Sequence, residues 1–358
     1  MSPPWRISRE SPATVERASA EAVEARVLAV LRSGRWIGGP VVAEAERALA
    51  DLFGMAHGVG VNSGTDALVL ALMACGVGPG DDVIVPAVSF FATASAVVLV
   101  GARPVIVDVL PDRPLLDPAA VRQAWSPRVK AVVPVHLFGM AAPHIAGLPD
   151  YALVVDDLAQ AAGAQTPVGQ GPIAALSLYP TKVLAGAGDG GAVLTDSAEL
   201  AERVRALGSH GLGPEGAVRV QGHVGRNSRL DALQAAVVLG RLPDLARRLE
   251  HRRVLAMRYQ DALGAKVLVP GRGRPVSVLC LRSRQRDVLR ARLLAAGIEA
   301  TIYYPRPLHH EPALDGLART GPCPNAERFC AEALALPCHA GMSLDDVDDV
   351  IAVIQDTP

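Results

Sequence analysis

The run Ala174-Ala175-Leu176-Ser177-Leu178-Tyr179-Pro180-Thr181-Lys182-Val183-Leu184-Ala185-Gly186, closed by Gly188-Asp189-Gly190-Gly191, holds a single cation in an otherwise apolar stretch. Among 35 basic residues only three are lysine, Lys130, Lys182 and Lys266, and Lys182 is the sole lysine or arginine between Lys130 and Arg203. A guanidinium stays charged at any workable pH, whereas an amine withdrawn from water can lose its proton and attack a carbonyl. The ordinary alternative is a lysine whose stem lies on apolar surface while its head reaches solvent.

Around this run, short apolar segments alternate with helical patterns. The strand candidates are 58–61, 83–86, 104–107, 131–135, 153–155, 174–178 and 192–194. Several are apolar on successive residues, as expected of strands covered by helices on both faces, so the class is α/β with a mostly parallel seven-stranded sheet. Ligands of such sheets sit where the strands end in polar or glycine-rich turns. The N-terminal part predicts a helix over 19–31, glycine breaks at Gly34 and Gly38-Gly39, and a second helix from Pro40 through Leu52, closed by Gly54. After a glycine-rich stretch over 210–225, a long helical region continues through Arg253, and a smaller α/β segment follows from about Lys266. The boundary falls near 240, giving a large domain over 1–240 and a small C-terminal α/β domain over 241–358, with no internal repeat.

The 358 residues suffice for a sizeable core, and the net charge of -1 gives no overall field toward nucleic acid or an anionic membrane. Five cysteines without a Cys-x-x-Cys argue against a disulfide framework and a zinc knuckle. The N-terminus has no apolar leader and no run is long enough to span a bilayer, so a cytoplasmic protein is expected. His136, His210, His223, His310 and His339 show no metal-ligand spacing, and no metal is expected.

Upstream of Lys182, Val154-Val155-Asp156-Asp157-Leu158-Ala159-Gln160-Ala161-Ala162-Gly163 places two carboxylates and an amide at a strand end, one carboxylate facing inward. A buried aspartate needs a partner: a helix N-terminus in the plain reading, a protonated pyridine nitrogen in the functional one. Further upstream, Gly60-Val61-Asn62-Ser63-Gly64-Thr65-Asp66-Ala67-Leu68 runs from a strand through a small-residue turn into a helix, which offers backbone N–H groups to a phosphate. Ser63 stands where a dinucleotide fingerprint needs its third glycine and no strand-end acid follows at suitable distance, which argues against a Rossmann oxidoreductase, and the lack of a Gly-Lys-Ser/Thr excludes a P-loop. A lysine amine, an inward aspartate about 25 residues before it and a phosphate-ready helix start, in this order, are what pyridoxal phosphate requires.

On these motifs the chain resembles the DegT/DnrJ/EryC1/StrS family, the pyridoxal-phosphate-dependent sugar aminotransferases of the aspartate-aminotransferase fold type I. The resemblance also covers Arg35-Trp36-Ile37-Gly38-Gly39-Pro40, Val85-Pro86 with Ser89-Phe90, Gly101 to Val105 with Asp108, Val135-His136-Leu137-Phe138-Gly139, the acid motif to Ala164, Gly225 to Asp231, and Tyr304-Pro305-Arg306-Pro307-Leu308-His309. It implies that Lys182 forms the Schiff base and later shuttles the proton, that Asp157 holds the pyridine N–H and that Gln160 bonds the ring's phenolate oxygen. Phe90 would stack on the ring, where the plain reading is core packing. The phosphate would take the backbone at Gly64 and Thr65, the Ser177 hydroxyl and, from a second subunit, the Asn227 amide, which makes the enzyme a homodimer. Read alone, Asn227 is a helix cap and Arg229 a solvated cation. Tyr179, Arg229, Tyr304 and His309 would contact a nucleotide-linked sugar.

Three positions depart from the family's pattern: Tyr303 stands for a histidine, Val183 for an asparagine after the lysine, and Leu158 for a small residue. The resemblance implies transfer of the amine of an amino acid, by family L-glutamate, to a 3-keto or 4-keto sugar nucleotide, with Asn227 to Asp231 leaning toward 3-keto. The alternatives are a cyclitol aminotransferase, a sugar dehydratase, whose relatives carry histidine in place of the lysine, and a non-catalytic regulatory or scaffold paralogue.

Overall fold

A computed structural model describes residues 5–9, 17–162, 169–213, 224–271 and 273–356. Gly163 and Ala164 of the acid motif, and His223 with most of the glycine-rich stretch, lie outside the described residues.

The strands of the first sheet are β1 (His57–Val61), β2 (Asp82–Pro86), β3 (Arg103–Val107), β4 (Val129–Val132), β5 (Leu153–Asp157), β6 (Ile173–Ser177) and β7 (Gly191–Thr195). A second sheet contains β8 (Val267–Leu268), β9 (Leu279–Arg282) and β11 (Ala333–Leu336), while β10 (Arg319–Thr320) returns to the first. The helices are α1 (Arg17–Ser33), α2 (Pro40–Phe53), α3 (Gly64–Ala74), α4 (Ala92–Leu99), α5 (Pro118–Ala124), α6 (Ala198–Gly208), α7 (Ala232–Arg241), α8 (Leu245–Leu263), α9 (Arg286–Ala295), α10 (Pro324–Glu332) and α11 (Leu344–Gln355).

The first sheet runs β1-β7-β6-β5-β4-β2-β3-β10, parallel except for β7, which is antiparallel to both neighbours. It therefore has eight strands where the sequence predicts seven. The eighth, Arg319–Thr320, adds two residues beside β3 through backbone pairing and has no apolar pattern to reveal it. Burial on both faces explains the unbroken apolar runs: along β6, Ile173 and Ala175 belong to one core and Ala174 and Leu176 to the core on the other side. The helical region expected through Arg253 divides at Pro243, where a short 3-10 turn over Leu242–Asp244 separates α7 from α8.

The second sheet is antiparallel, in the order β11-β9-β8, and packs with α8, α9 and α11 around Leu255, Tyr259, Leu279, Leu293 and Val347. The buried Tyr259 hydroxyl donates to Pro337 O at 3.0 Å and joins α8 to the end of β11. Burial drives its phenol pKa well up, so it stays a donor. Tyr259→Phe leaves a buried carbonyl unpaired and is expected to cost about 1–2 kcal/mol in chemical denaturation, with an unchanged denaturant slope. An equal or greater stability would contradict that role.

Candidate active site

The C-terminal ends of β5 and β6, the start of α3 and the chain around Lys182 enclose a cavity of about 430 Å³. Parallel strands at the middle of the sheet deliver their last residues to one rim, which is how Asp157 and Ser177 come to share it.

The two acids of the motif diverge because β5 alternates faces. Asp156 is fully buried and turned away: Oδ1 takes His136 Nε2 at 2.9 Å, and Oδ2 takes the N–H groups of Gln170 and Gly171, each at 2.8 Å. Ala142 N donates to His136 Nδ1 at 3.2 Å, so the imidazole proton sits on Nε2 and points at the carboxylate. Asp157 lines the cavity, and it is the inward acid. Its hydrogen-bond donors are neutral, Thr93 Oγ1 to Oδ2 at 2.9 Å and Ala159 N to Oδ1 at 3.1 Å. Burial raises its pKa, opposed by those two bonds and then by the charge of Lys182. Lys182 lines the same cavity.

Ser63 caps α3, its hydroxyl accepting from Asp66 N at 3.1 Å, while the N–H groups of Gly64 and Thr65 belong to the first turn, which has no intrahelical acceptor for them. A Cβ at Gly64 would lie 2.6 Å from Ser177 Cβ and 3.0 Å from its Oγ, so glycine lets the helix start and that hydroxyl share one corner. Together they form an anion cup at the positive end of a helix.

Gln160 is held on both sides: Phe138 N donates to its Oε1 at 3.0 Å, and its Nε2 donates to Tyr304 OH at 3.1 Å. One amide N–H remains for a ligand. Burial pushes the Tyr304 phenol up, so it keeps its proton. Phe90 lines the cavity 60% exposed, which contradicts core packing, and sits 6.5 Å from the Tyr304 ring. Tyr179 lines the mouth, half exposed.

Three sequence candidates lie elsewhere. Asn227 and Arg229 are exposed and bonded to each other at 2.8 Å, outside the cavity of the single chain. Asn227 is not the helix cap of the plain reading, since Asp231 occupies the N-cap of α7. His309 does not line the cavity. Its Nε2 meets Glu327 Oε1 at 3.3 Å, and His309, His310 and Glu327 each place one ligand atom within 4.8 Å of the others. Spacing along the chain hid that trio because Glu327 arrives from α10. Sequence reasoning also missed Ser89 and Thr93, a hydroxyl pair 2.7 Å apart that runs to Asp157. Isolated Ser and Thr carry no signal without the fold.

A family model described as the DegT/DnrJ/EryC1/StrS aminotransferase family matches residues 18–355. The chain belongs to this family. It is similar to the dTDP-3-amino-3,4,6-trideoxy-alpha-D-glucose transaminase of Streptomyces venezuelae, 42% identical over 332 residues, covering 88% of this chain and 86% of that one. It is also similar to a protein of Geobacillus stearothermophilus named as a pleiotropic regulatory protein, 41% identical over 325 residues, covering 86% of this chain and 87% of the relative. Among solved structures, S. venezuelae DesV in complex with a ketimine intermediate superposes with a TM-score of 0.88 at 35% identity, covering 98% of both chains. In this DegT/DnrJ/EryC1/StrS protein no helix among the described residues is long and apolar enough to cross a membrane.

The raised pKa of Asp157 has a testable sign. An acid whose folded-state pKa lies above its unfolded value contributes stability below the unfolded pKa and loses it as pH rises through the folded one. Asp157→Asn should therefore gain stability relative to the parent, in the ligand-free protein, as pH rises above the ordinary carboxyl pKa of about 3.9. A gap independent of pH, or one that closes with rising pH, would show that burial does not dominate at this carboxyl.

Proposed function

We propose that the protein is a pyridoxal 5'-phosphate-dependent aminotransferase that moves the amine of L-glutamate to a keto-sugar carried on a nucleoside diphosphate. The observation that carries the reading is a buried carboxylate with neutral donors, Asp157, sharing one cavity with Lys182 and the anion cup of Gly64, Thr65 and Ser177. The residues fit the coenzyme on physical grounds. Donors to the buried Asp157 carboxyl include the neutral Thr93 hydroxyl and Ala159 N–H, which a pyridinium N–H would complement, and the cup offers a phosphate the donors it needs.

When bound, the coenzyme supplies an electron sink for the bond broken at the amino-bearing carbon. Lys182 would attach the coenzyme and would hold and move a proton at that carbon. Asp157, fixed by Thr93 and Ala159 N, holds the ring-nitrogen proton. Gln160, locked by Phe138 N and Tyr304, turns its remaining N–H toward the ring's phenolate oxygen. Phe90 covers a ring face and excludes water, and Tyr179 and Tyr304 border the sugar.

Asn227 belongs to this reading through a homodimer in which a second subunit completes each site, while Arg229 and His309 enter it as contacts of the sugar nucleotide. Support for the homodimer is the exposure of Asn227 and Arg229 and of the apolar Leu28, Leu31, Trp36 and Ile37, on and just after α1, where Trp36 O accepts from Ala232 N. The chain divides into a coenzyme-binding part over 1–240 and a smaller part over 241–358, and it works in the cytoplasm. The wording of 227–231 favours a 3-keto sugar, in keeping with the named activity of the S. venezuelae transaminase. A regulatory paralogue is the second reading, favoured by the name of the Geobacillus stearothermophilus relative.

L-glutamate alone separates the two. An aminotransferase loses the yellow colour of its lysine-bound coenzyme as the amine is taken up, whereas a paralogue without turnover stays yellow. Gly64→Ala should weaken coenzyme binding about tenfold or more, a loss of roughly 1.4 kcal/mol per decade; fluorescence titration at unchanged circular dichroism reads it, and an unaltered Kd removes the cup from the account. Co-expressing Lys182→Ala with Asn227→Ala should restore about a quarter of the sites, since half the dimers are mixed and each has one intact site. Complementation that fails while the dimer forms would place Asn227 outside the partner's site.

A further inference from the structure

Side chains of α7 and α8 fasten the segment that follows Lys182. Arg248 Nη1 donates to Val183 O at 2.8 Å, and Arg241 Nη1 donates to Ala185 O and to Gly186 O, both at 2.8 Å. Gln234 Oε1 accepts from Ala187 N at 2.7 Å. Glycine allows the approach: a Cβ at Gly186 or Gly188 would lie 2.7 or 3.0 Å from the Gln234 amide. The helices are tied to each other as well, with Arg248 Nη2 donating to Arg241 O at 3.0 Å and Asp244 3.7 Å from the Arg248 guanidinium.

The arrangement is costly. Burial lowers the pKa of both guanidinium groups, and Arg241 forms no ion pair with a carboxylate among the described residues while facing the like charge of Arg248. Apolar side chains of similar volume would stabilise a helix junction as well or better. The two cations hold what apolar groups cannot, the carbonyls of a segment whose glycines at 186, 188 and 190 leave its backbone poorly fixed. That segment starts one residue after Lys182, whose own N–H is bonded to Tyr179 O at 2.9 Å, and it folds back through Gly186 N to Leu178 O at 2.7 Å. Lys182 thus sits in a turn anchored upstream by β6 and downstream by the arginines.

We propose that Arg241 and Arg248, with Gln234, are positioning residues that hold the turn carrying the Lys182 amine in the cavity and so set its rate of reaction. The inference rests on Lys182 being the reacting amine. It concerns groups that touch neither coenzyme nor substrate, since none of the three lines the cavity.

The test uses the full-length holoenzyme with Arg241→Met, Arg248→Met and the corresponding lysine variants. Hydrogen exchange over 184–188 should speed up about tenfold or more in the methionine variants while β6 and α3 keep their protection. The single-turnover rate with L-glutamate should fall about tenfold or more with half-saturation unchanged, because a small displacement of a reacting group costs rate more than binding. The lysine variants should recover part of both losses, an ammonium still reaching one carbonyl. If a methionine variant fails to fold, Gln234→Met, which removes only the Ala187 contact, takes the same measurements. Unchanged exchange and unchanged turnover would overturn the proposal, and so would loosening spread evenly over the chain, which marks a contribution to the fold alone. Lys182→Ala serves as the control: if it still converts glutamate, the lysine assignment fails whatever the turn does.

Discussion

Asp157 is held out of water at the end of a central strand by two neutral hydrogen bonds, and that desolvated carboxyl is the constraint around which the site is arranged. Removing a charge from water without a compensating partner is among the most expensive steps a fold can take, and that cost is what raises the pKa of this carboxyl. Thr93 and Ala159 orient the carboxyl without neutralising it. Lys182 lines the same cavity. The neighbouring Asp156 shows the structural solution to the same problem: His136 and two backbone N–H groups satisfy it completely, and it takes no part in the cavity.

The fold supplies this arrangement through parallel strands buried on both faces. β5 and β6 can be apolar along most of their length because α2, α3 and α7 belong to the cores that cover them, and their polar residues collect at the one end where the sheet meets the cavity. The same logic governs the positive side of the site. Arginine serves as a fixed fork to carbonyls and carboxylates, as with Arg205 on Glu46 or Arg103 on Asp82.

Much of this was legible in the sequence for physical reasons. The seven long strands announced themselves because burial on both faces demands continuous apolar residues. Lys182 and Asp157 stood out because each is a charge in a stretch that excludes charge. Pairing of Arg319 with Val105 depends on backbone hydrogen bonds alone and leaves no pattern, so the eighth strand was invisible. Thr93 and Gln234 gain meaning only from partners 64 and 47 residues distant. The plain readings of Phe90 as core and Asn227 as a helix cap failed on exposure and on the position of the α7 cap, facts that belong to three dimensions.

With only three lysines in the chain, the central claim can be tested at the level of one bond. Reduction of the coenzyme-loaded protein with borohydride, followed by digestion and mass spectrometry, should find the phosphopyridoxyl group on Lys182 and leave Lys130 and Lys266 unlabelled. A label on either of those two, or none on Lys182, would contradict the account.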